Sequence, residues 1–471
     1  MSRDSSRRTF LKRTGALGSL GIVGLSGCTT EQADGGSGGD GGSGDGGDGG
    51  DGGSGDGGSG DGGDGGGGDG GDGGSSVGPD VLIVVGYPQS GVQLFKDYYS
   101  DYDDDDVDIL VTDGLQSADL PGNVGNDMSN VMGTAPTSSG PGQETFADLF
   151  TSEFDYDQPG VFTAQAYDAS AVQILANVMA GENDGEAIRD HMRVVANPGG
   201  TSYGPSELPA AIEAAAAGEN INYEGASSNV NFDENGDITS ARYQVFGFTM
   251  DGYETQQTID FGGSGDIPQP EPSASGSDSG RTVRLGVLQP ETGDLGPLGV
   301  AIRDAALLPA RQLEGEVDFT FDTQVGDTQS RAQAAIEAAN SLVSAGYPMI
   351  TGAASSESTI QVANNVLVNN SVVACSPAST SPAITSLEDD DYLFRTPPSD
   401  ALQGQVLAQV ATEELGASTA ATLYLNNSYG QALQESFATA FQEAGGSVLN
   451  QIGFESQQSS YTSQLNSALS Q

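Results

Sequence analysis

Residues 328–352 read TQSRAQAAIEAANSLVSAGYPMITG. The start is polar, Ala335, Ile336, Ala339, Leu342 and Val343 fall on one helical face, and Gly346 is a stop signal, which predicts a helix over 328–345. A short apolar run follows at 348–351, bounded by turn residues, and reads as a strand. A helix feeding a short apolar strand is the unit of a parallel sheet, whose strands are buried on both faces and show no polar alternation. Working outward, the same unit recurs as strand 283–288, helix 299–313, strand 317–322, helix 357–367 and strand 371–375. The expected class is α/β, with doubly wound, mainly parallel sheets.

Two segments of similar size carry this pattern, 79–261 and 281–471, separated by the Gly, Ser and Pro-rich stretch 262–280, GGSGDIPQPEPSASGSDSG, which reads as a linker. The first segment opens on the apolar strand 81–85. A helix near 90–99, a strand at 107–112 and helices near 143–153 and 168–179 follow. Asn235-Gly236 predicts a hairpin between strands at 230–232 and 242–248.

Before residue 79 the composition changes. Residues 31–78 hold 28 Gly and 10 Asp, almost nothing apolar, and read as an extended, self-repelling spacer. The whole chain has 66 acidic against 15 basic residues, a net charge of −51. Such a field repels polyanions and excludes nucleic acid as a partner. Residues 79–471 alone carry 54 acidic side chains against 10 basic ones, and Lys96 is their only lysine. That much self-repulsion is tolerable where concentrated salt shortens the Debye length to a few Å, so the chain reads as adapted to molar salt.

The first 27 residues read as an address. Ser6-Arg7-Arg8-Thr9-Phe10-Leu11-Lys12 precedes an apolar run from Ala16 to Leu25, too short for a permanent bilayer helix, and resembles a twin-arginine export signal. Leu25-Ser26-Gly27-Cys28 is similar to a lipoprotein lipobox. The expectation is removal of 1–27 and a lipid on Cys28, with 28–78 holding the folded part off the outer face of the membrane.

Little in the rest suggests catalysis. Cys375 sits in an apolar run and reads as a packed small hydrophobe. The one histidine, His191, lies between Arg189 and Arg193 on an expected helix and reads as a solvated surface residue. A Ser-His-Asp triad or a structural zinc site therefore has few possible members, and no Gly-rich phosphate loop has the strand and helix context it needs. Asp233-Glu-Asn-Gly-Asp237 is too short for an EF-hand. No metal and no cofactor is expected, and binding is favoured over enzymatic activity.

Successive motifs point to one family. Residues 283–293 (VRLGVLQPETG), 352–359 (GAASSEST), 376–380 (SPAST) and 423–430 (LYLNNSYG) look like the opening signatures of the Leu/Ile/Val-binding, type I periplasmic-binding-protein family of ABC-transporter receptors. The family's later signatures resemble Gly86-Tyr87, Thr112-Asp113-Gly114, Ala166-Tyr167-Asp168-Ala169 and 225–237, all of which lie earlier in this chain. The resemblance thus implies a circular permutant, with 281–471 as the family's N-terminal half, 79–261 as its C-terminal half and 262–280 joining the family's old ends.

That resemblance implies a two-lobed receptor closing on a small molecule at the carboxyl ends of parallel strands. By the family pattern Ser355, Ser356 and nearby backbone amides hold an α-carboxylate at a helix N-terminus. Ala378 and Thr380 contact the α-ammonium or carboxylate, and Asp113 serves as acidic partner of the ammonium. Tyr429 and Tyr87 cap the ligand from the second lobe, and Tyr167 lines the pocket. Where leucine receptors place an aromatic cover this chain has Leu298. An amino acid, branched-chain above all, is the implied ligand and ABC permease subunits the implied partners. Urea, short amides and a sensory role on the same fold stand as alternatives, while the bland readings are an N-cap for Ser355 and Ser356 and core packing for the tyrosines.

Overall fold

The computed structural model describes residues 78–261, 267–269 and 280–470; Arg7, Arg8, Cys28 and the acidic spacer lie outside the described residues. The strands are β1 (Val81–Val85), β2 (Asp108–Val111), β3 (Val131–Pro136), β4 (Thr201–Tyr203), β5 (Ile221–Tyr223), β6 (Ala241–Thr249) and β7 (Gly252–Phe261) in the first segment. In the second they are β8 (Thr282–Gln289), β9 (Thr320–Asp327), β10 (Met349–Gly352), β11 (Val373–Ser376), β12 (Leu393–Arg395), β13 (Thr419–Leu425) and β14 (Ser447–Phe454). The helices that matter below are α1 (Pro88–Asp101), α2 (Leu120–Val124), α3 (Gln143–Glu153), α4 (Thr163–Ala180), α5 (Gly185–Ala196) and α6 (Leu208–Ala216). They continue as α7 (Gly296–Leu313), α8 (Ala332–Ser344), α9 (Ser356–Val362), α10 (Asp400–Gln409), α11 (Ser428–Glu443) and α12 (Thr462–Leu469).

The strands form a seven-stranded sheet in the order β14-β13-β1-β2-β3-β6-β7, a five-stranded sheet in the order β12-β11-β10-β8-β9, and the small parallel pair β4-β5. The five-stranded sheet is wholly parallel. In the larger sheet only β6 is reversed, pairing antiparallel with β3 on one side and β7 on the other. All five residues of β1 are buried, as its unbroken apolar run requires of a central parallel strand.

The two segments are interleaved. β1 of the first segment lies parallel between β2 and β13, the latter from the second segment, with Val81 opposite Ala420 and Val85 opposite Tyr424. Asp80 locks that seam, its carboxylate accepting hydrogen bonds from Ser418 N, Ser418 Oγ and Thr419 N, each 2.9 Å. Helix α12 packs on β14 and β13, and its last turn ends beside residue 78, where a Cβ would lie 3.2 Å from Leu469 O. A β14-α12-β1 unit is therefore closed in space by residues far apart in sequence. Conversely, α4 of the first segment packs on β8, β10 and β11 of the second, with 17 of its 18 residues buried.

Read from β13 and from β8, each sheet has the order 2-1-3-4-5, in which the switch point opens at the carboxyl ends of the first and third strands. Those ends face one cleft. β8, β10 and β11 supply one wall; β13, β1 and β2 supply the other.

Several elements differ from expectation. The helix expected at 328 begins at Ala332, because Gln329 and Ser330 adopt φ of 51° and 55°. The strand expected at 317–322 is β9, at 320–327: an edge strand, half-exposed along its length, carries little of the apolar run by which a strand is located. The helix 357–367 starts at Ser356 and widens into a π turn over 363–367. The helix expected at 168 begins at Thr163, after Phe162 turns the chain with φ 64°. Asn235-Gly236 does form a turn, but it closes only the single bridge between Phe232 and Ile238, while β6 pairs with β3 and β7. His191 is buried, not solvated: its Nδ1 lies 2.7 Å from Ala187 O, which turns the ring back along the helix. Cys375 is fully buried on β11, and burial pushes its thiol pKa up.

Candidate functional site

The loops after the six converging strands line a small pocket that opens to solvent. Its polar end is built from Ser356, Ala378, Asp113 and Tyr429. Its apolar end is built from Leu295, Leu298, Ile302 and Phe162.

On the first wall, Ser355 caps α9, its Oγ accepting the Ser358 amide at 3.2 Å. This places Ser356 at the first helical position, at the positive end of the helix dipole. Ser356 Oγ accepts from Ser381 N at 3.2 Å, which leaves the hydroxyl proton available to an acceptor in the cavity. The loop carrying Ala378 is pinned to the adjoining one: Ser376 Oγ and Ser379 Oγ both donate to Ala353 O, and Ser379 Oγ also reaches Ala354 O.

On the second wall, Tyr87 follows β1 and Tyr429 lies in the first turn of α11; their rings stack with centroids 5.5 Å apart and planes 9° apart. Tyr429 OH lies 2.7 Å from Thr112 Oγ1 and donates to Asp113 Oδ1 at 3.2 Å. Gly114 makes this approach possible, because a Cβ there would meet Gly86 O at 2.4 Å and Tyr429 OH at 3.2 Å.

Behind Asp113 lies a residue that sequence reasoning missed. Asp400, the first residue of α10, is fully buried, and neither of its carboxylate oxygens has a hydrogen-bond partner. Its amide donates to Thr380 O at 2.8 Å, while Thr380 Oγ1, near enough to temper the carboxylate, is not aligned for a hydrogen bond and is itself unpartnered. Burial pushes Asp113 up to about 6, tempered by Gln403 and Tyr429. Burial, and then the charge of Asp113, raises Asp400 well above the usual carboxylate range. Two neighbouring carboxyls, short of partners and dry, form a site that an added cation would satisfy. In the sequence, Asp400 after Ser399 looks like an ordinary acidic first turn of a helix; only the fold brings it to Asp113.

Arg395 is the other buried ion. It is 0% exposed, forms a two-pronged pair with Asp237 at 2.5 and 2.7 Å, and donates to Ser381 O at 2.9 Å and Thr385 Oγ1 at 2.8 Å. It thereby ties the ligand-facing loop of the second segment to the 233–237 turn of the first. No group of three or more His, Cys, Asp or Glu side chains that could hold a metal ion occurs among the described residues.

Of the residues singled out from sequence, Tyr87, Asp113, Ser356, Ala378 and Tyr429 line one cavity. Three others do not line it. Ser355 is spent on capping α9. Tyr167 faces the core, fully buried, with its hydroxyl bonded to Gln312 Oε1, because α4 is sandwiched between the five-stranded sheet and α7. Thr380 is buried beside Asp400 rather than on the cavity surface.

A cleft at the switch points of two sheets, lined by both a carboxyl group and apolar side chains, has the make-up of a small-molecule binding site. Residues 282–471 match the family model described as periplasmic binding protein. The chain is similar to a leucine-, isoleucine-, valine-, threonine-, and alanine-binding protein of Pseudomonas aeruginosa, 27% identical over 175 residues, 36% of this chain and 46% of that protein. Among solved structures, a leucine binding protein LivK from Thermotoga maritima matches at 24% identity and TM-score 0.34, covering 39% of this chain and 52% of that one. A branched-chain amino acid transporter substrate binding protein, LivJ from Streptococcus pneumoniae, in complex with isoleucine, matches at 23% and TM-score 0.34, covering 39% and 53%. The chain spans about half the length of the relatives it matches. All three are named as binding proteins.

Proposed function

We propose that this protein is the extracellular receptor of an ABC importer, capturing an amino acid between its two sheets and delivering it to a membrane permease. The observation that carries the reading is the buried Asp113, backed by Asp400, which lines the same cavity as Ser356 at the N-terminus of α9. The carboxyl pair suits an α-ammonium, and Ser356 with the free amides of α9 suits an α-carboxylate. The apolar end, Leu295, Leu298 and Ile302, suits a branched aliphatic side chain. Urea or a short amide brings no cation for the carboxyls and no aliphatic group for the apolar end, so the amino acid is the better fit. Thermal-shift measurements in molar KCl with leucine, isoleucine, valine, urea and acetamide test this: the branched amino acids raise the midpoint and the amides do not.

We also read the chain as a circular permutant of the periplasmic-binding-protein fold. The interleaved sheet, the β14-α12-β1 unit and the adjacency of residues 78 and 469 support that reading. Export through Arg7 and Arg8 and anchoring through lipid on Cys28 complete the proposal. Mass spectrometry of the native membrane protein tests the last point: the expected N-terminus is a diacylated Cys28, and an N-terminal residue other than 28 contradicts it.

A further inference from the structure

A second cavity, of about 170 Å³ and open to solvent, is lined by the end of β3, α3, the start of α4, the β6-β7 hairpin and Phe162. Phe162 lines both cavities and is their shared wall. It is 4% exposed and held at φ 64°, a backbone region that an aromatic residue adopts only where its surroundings impose it. Gln165, one turn further along α4, lines the second cavity, is 4% exposed, and its carboxamide makes no hydrogen bond among the described residues. Gln244, on the facing strand, accepts from Thr255 with Oε1, which leaves its amide nitrogen to the cavity, and the Tyr253 hydroxyl stands nearby. None of the residues lining this cavity is charged, in a chain with 66 acidic residues.

A carboxamide without a protein partner offers one acceptor and two donors to whatever enters the cavity. With no charge to neutralise a carboxylate or an ammonium, the compartment matches a neutral group that both donates and accepts. We propose that the cavity behind Phe162 is a second ligand compartment. It receives the carboxamide or urea end of an amino acid longer than leucine, whose α-ammonium and α-carboxylate lie in the cleft, and Phe162 is the partition that turns aside to admit it. This rests on the amino-acid reading of the cleft given above.

Calorimetric titration of the full chain in molar KCl tests it, with L-leucine and urea-ended L-citrulline as probes and Gln165→Leu, Gln244→Leu and Phe162→Ala as variants. Citrulline should bind the unaltered protein. Gln165→Leu and Gln244→Leu should each weaken citrulline roughly tenfold, the loss of about one hydrogen bond, while leucine affinity stays within about twofold. Phe162→Ala should shift preference from leucine toward citrulline. Leucine binding confirms that each variant is folded. If leucine binds but citrulline does not, or if citrulline binds both glutamine variants as tightly as the unaltered protein, the second compartment is overturned and the cleft reading stands. If neither solute binds the unaltered protein, the cleft reading fails and takes this proposal with it.

Discussion

Asp113 and Asp400 are worth more to the molecule with a ligand than without one. In the empty cleft the groups facing them are Tyr429, Tyr87, Tyr243 and Gln403, all neutral, and the already engaged Arg395. Burial raises both, Asp113 to about 6 and Asp400 well above the ordinary carboxylate range. An ammonium needs the ionised form, so protons and ligand compete. Amino-acid affinity should be level above about pH 7 and fall about tenfold per pH unit below about 6. The empty protein should behave oppositely: a group whose folded pKa is raised contributes stability fully present below the ordinary carboxylate range and lost as pH rises through about 6. Calorimetry and melting curves across this range check both signs, and a level affinity down to about pH 5 would remove the pair from the site. Asp113→Asn should cost an amino acid about 1.5–3 kcal/mol of binding, the worth of a charged hydrogen bond, and leave neutral amides unaffected.

Among the elements, the loop 376–385 is held from outside the cavity. Arg395 grips it through Ser379 O, Ser381 O and Thr385, and Asp237 grips Arg395. Removing one partner strands a buried charge, so Asp237→Asn should destabilise by about 3–5 kcal/mol and also weaken ligand binding. Ser355→Ala, by contrast, should cost only about 1 kcal/mol, the worth of an N-cap, with a smaller effect on affinity. Equal effects of the two substitutions on affinity would show that the Arg395 anchor does not position the loop. What was legible in sequence follows the same division. β1, β8, β10 and β11 announce themselves because buried parallel strands are continuous apolar runs. The 352–359 motif announces a helix start because Ser355 must cap it. Edge strand β9, the β6-β7 hairpin and the buried His191 were not legible, since tertiary partners decide them. Asp400 and Arg395 had no local signature at all: an acid after a serine, and a charge at the end of a strand, acquire meaning only when residues 113 and 237 arrive beside them.

At the scale of the whole molecule, two features set conditions for everything else. With 54 acidic against 10 basic residues after position 78, self-repulsion should lower stability in dilute buffer. The midpoint should climb steeply as KCl rises to molar concentration and the Debye length shrinks to a few Å; a midpoint independent of salt contradicts that adaptation. The proposed permutation makes its own prediction. A chain rearranged to run 281–470, then 78–261, with 470 joined directly to 78, closes the β14-α12-β1 unit covalently. It should fold to the same receptor with the same ligand preference. Cooperative unfolding of both orders is expected, and failure of the native order to unfold cooperatively would sink the permutant reading.

The central claim is that residues from both segments, Asp113 and Tyr87 from one, Ser356 and Tyr429 from the other, bind one amino acid together. Calorimetric titration of L-leucine into the unaltered protein, Asp113→Asn and Ser356→Ala in molar KCl tests it most directly. One site per chain, weakened by roughly tenfold or more in each variant, is the predicted result. No heat and no midpoint shift with leucine, isoleucine or valine, or binding indifferent to both substitutions, would contradict it.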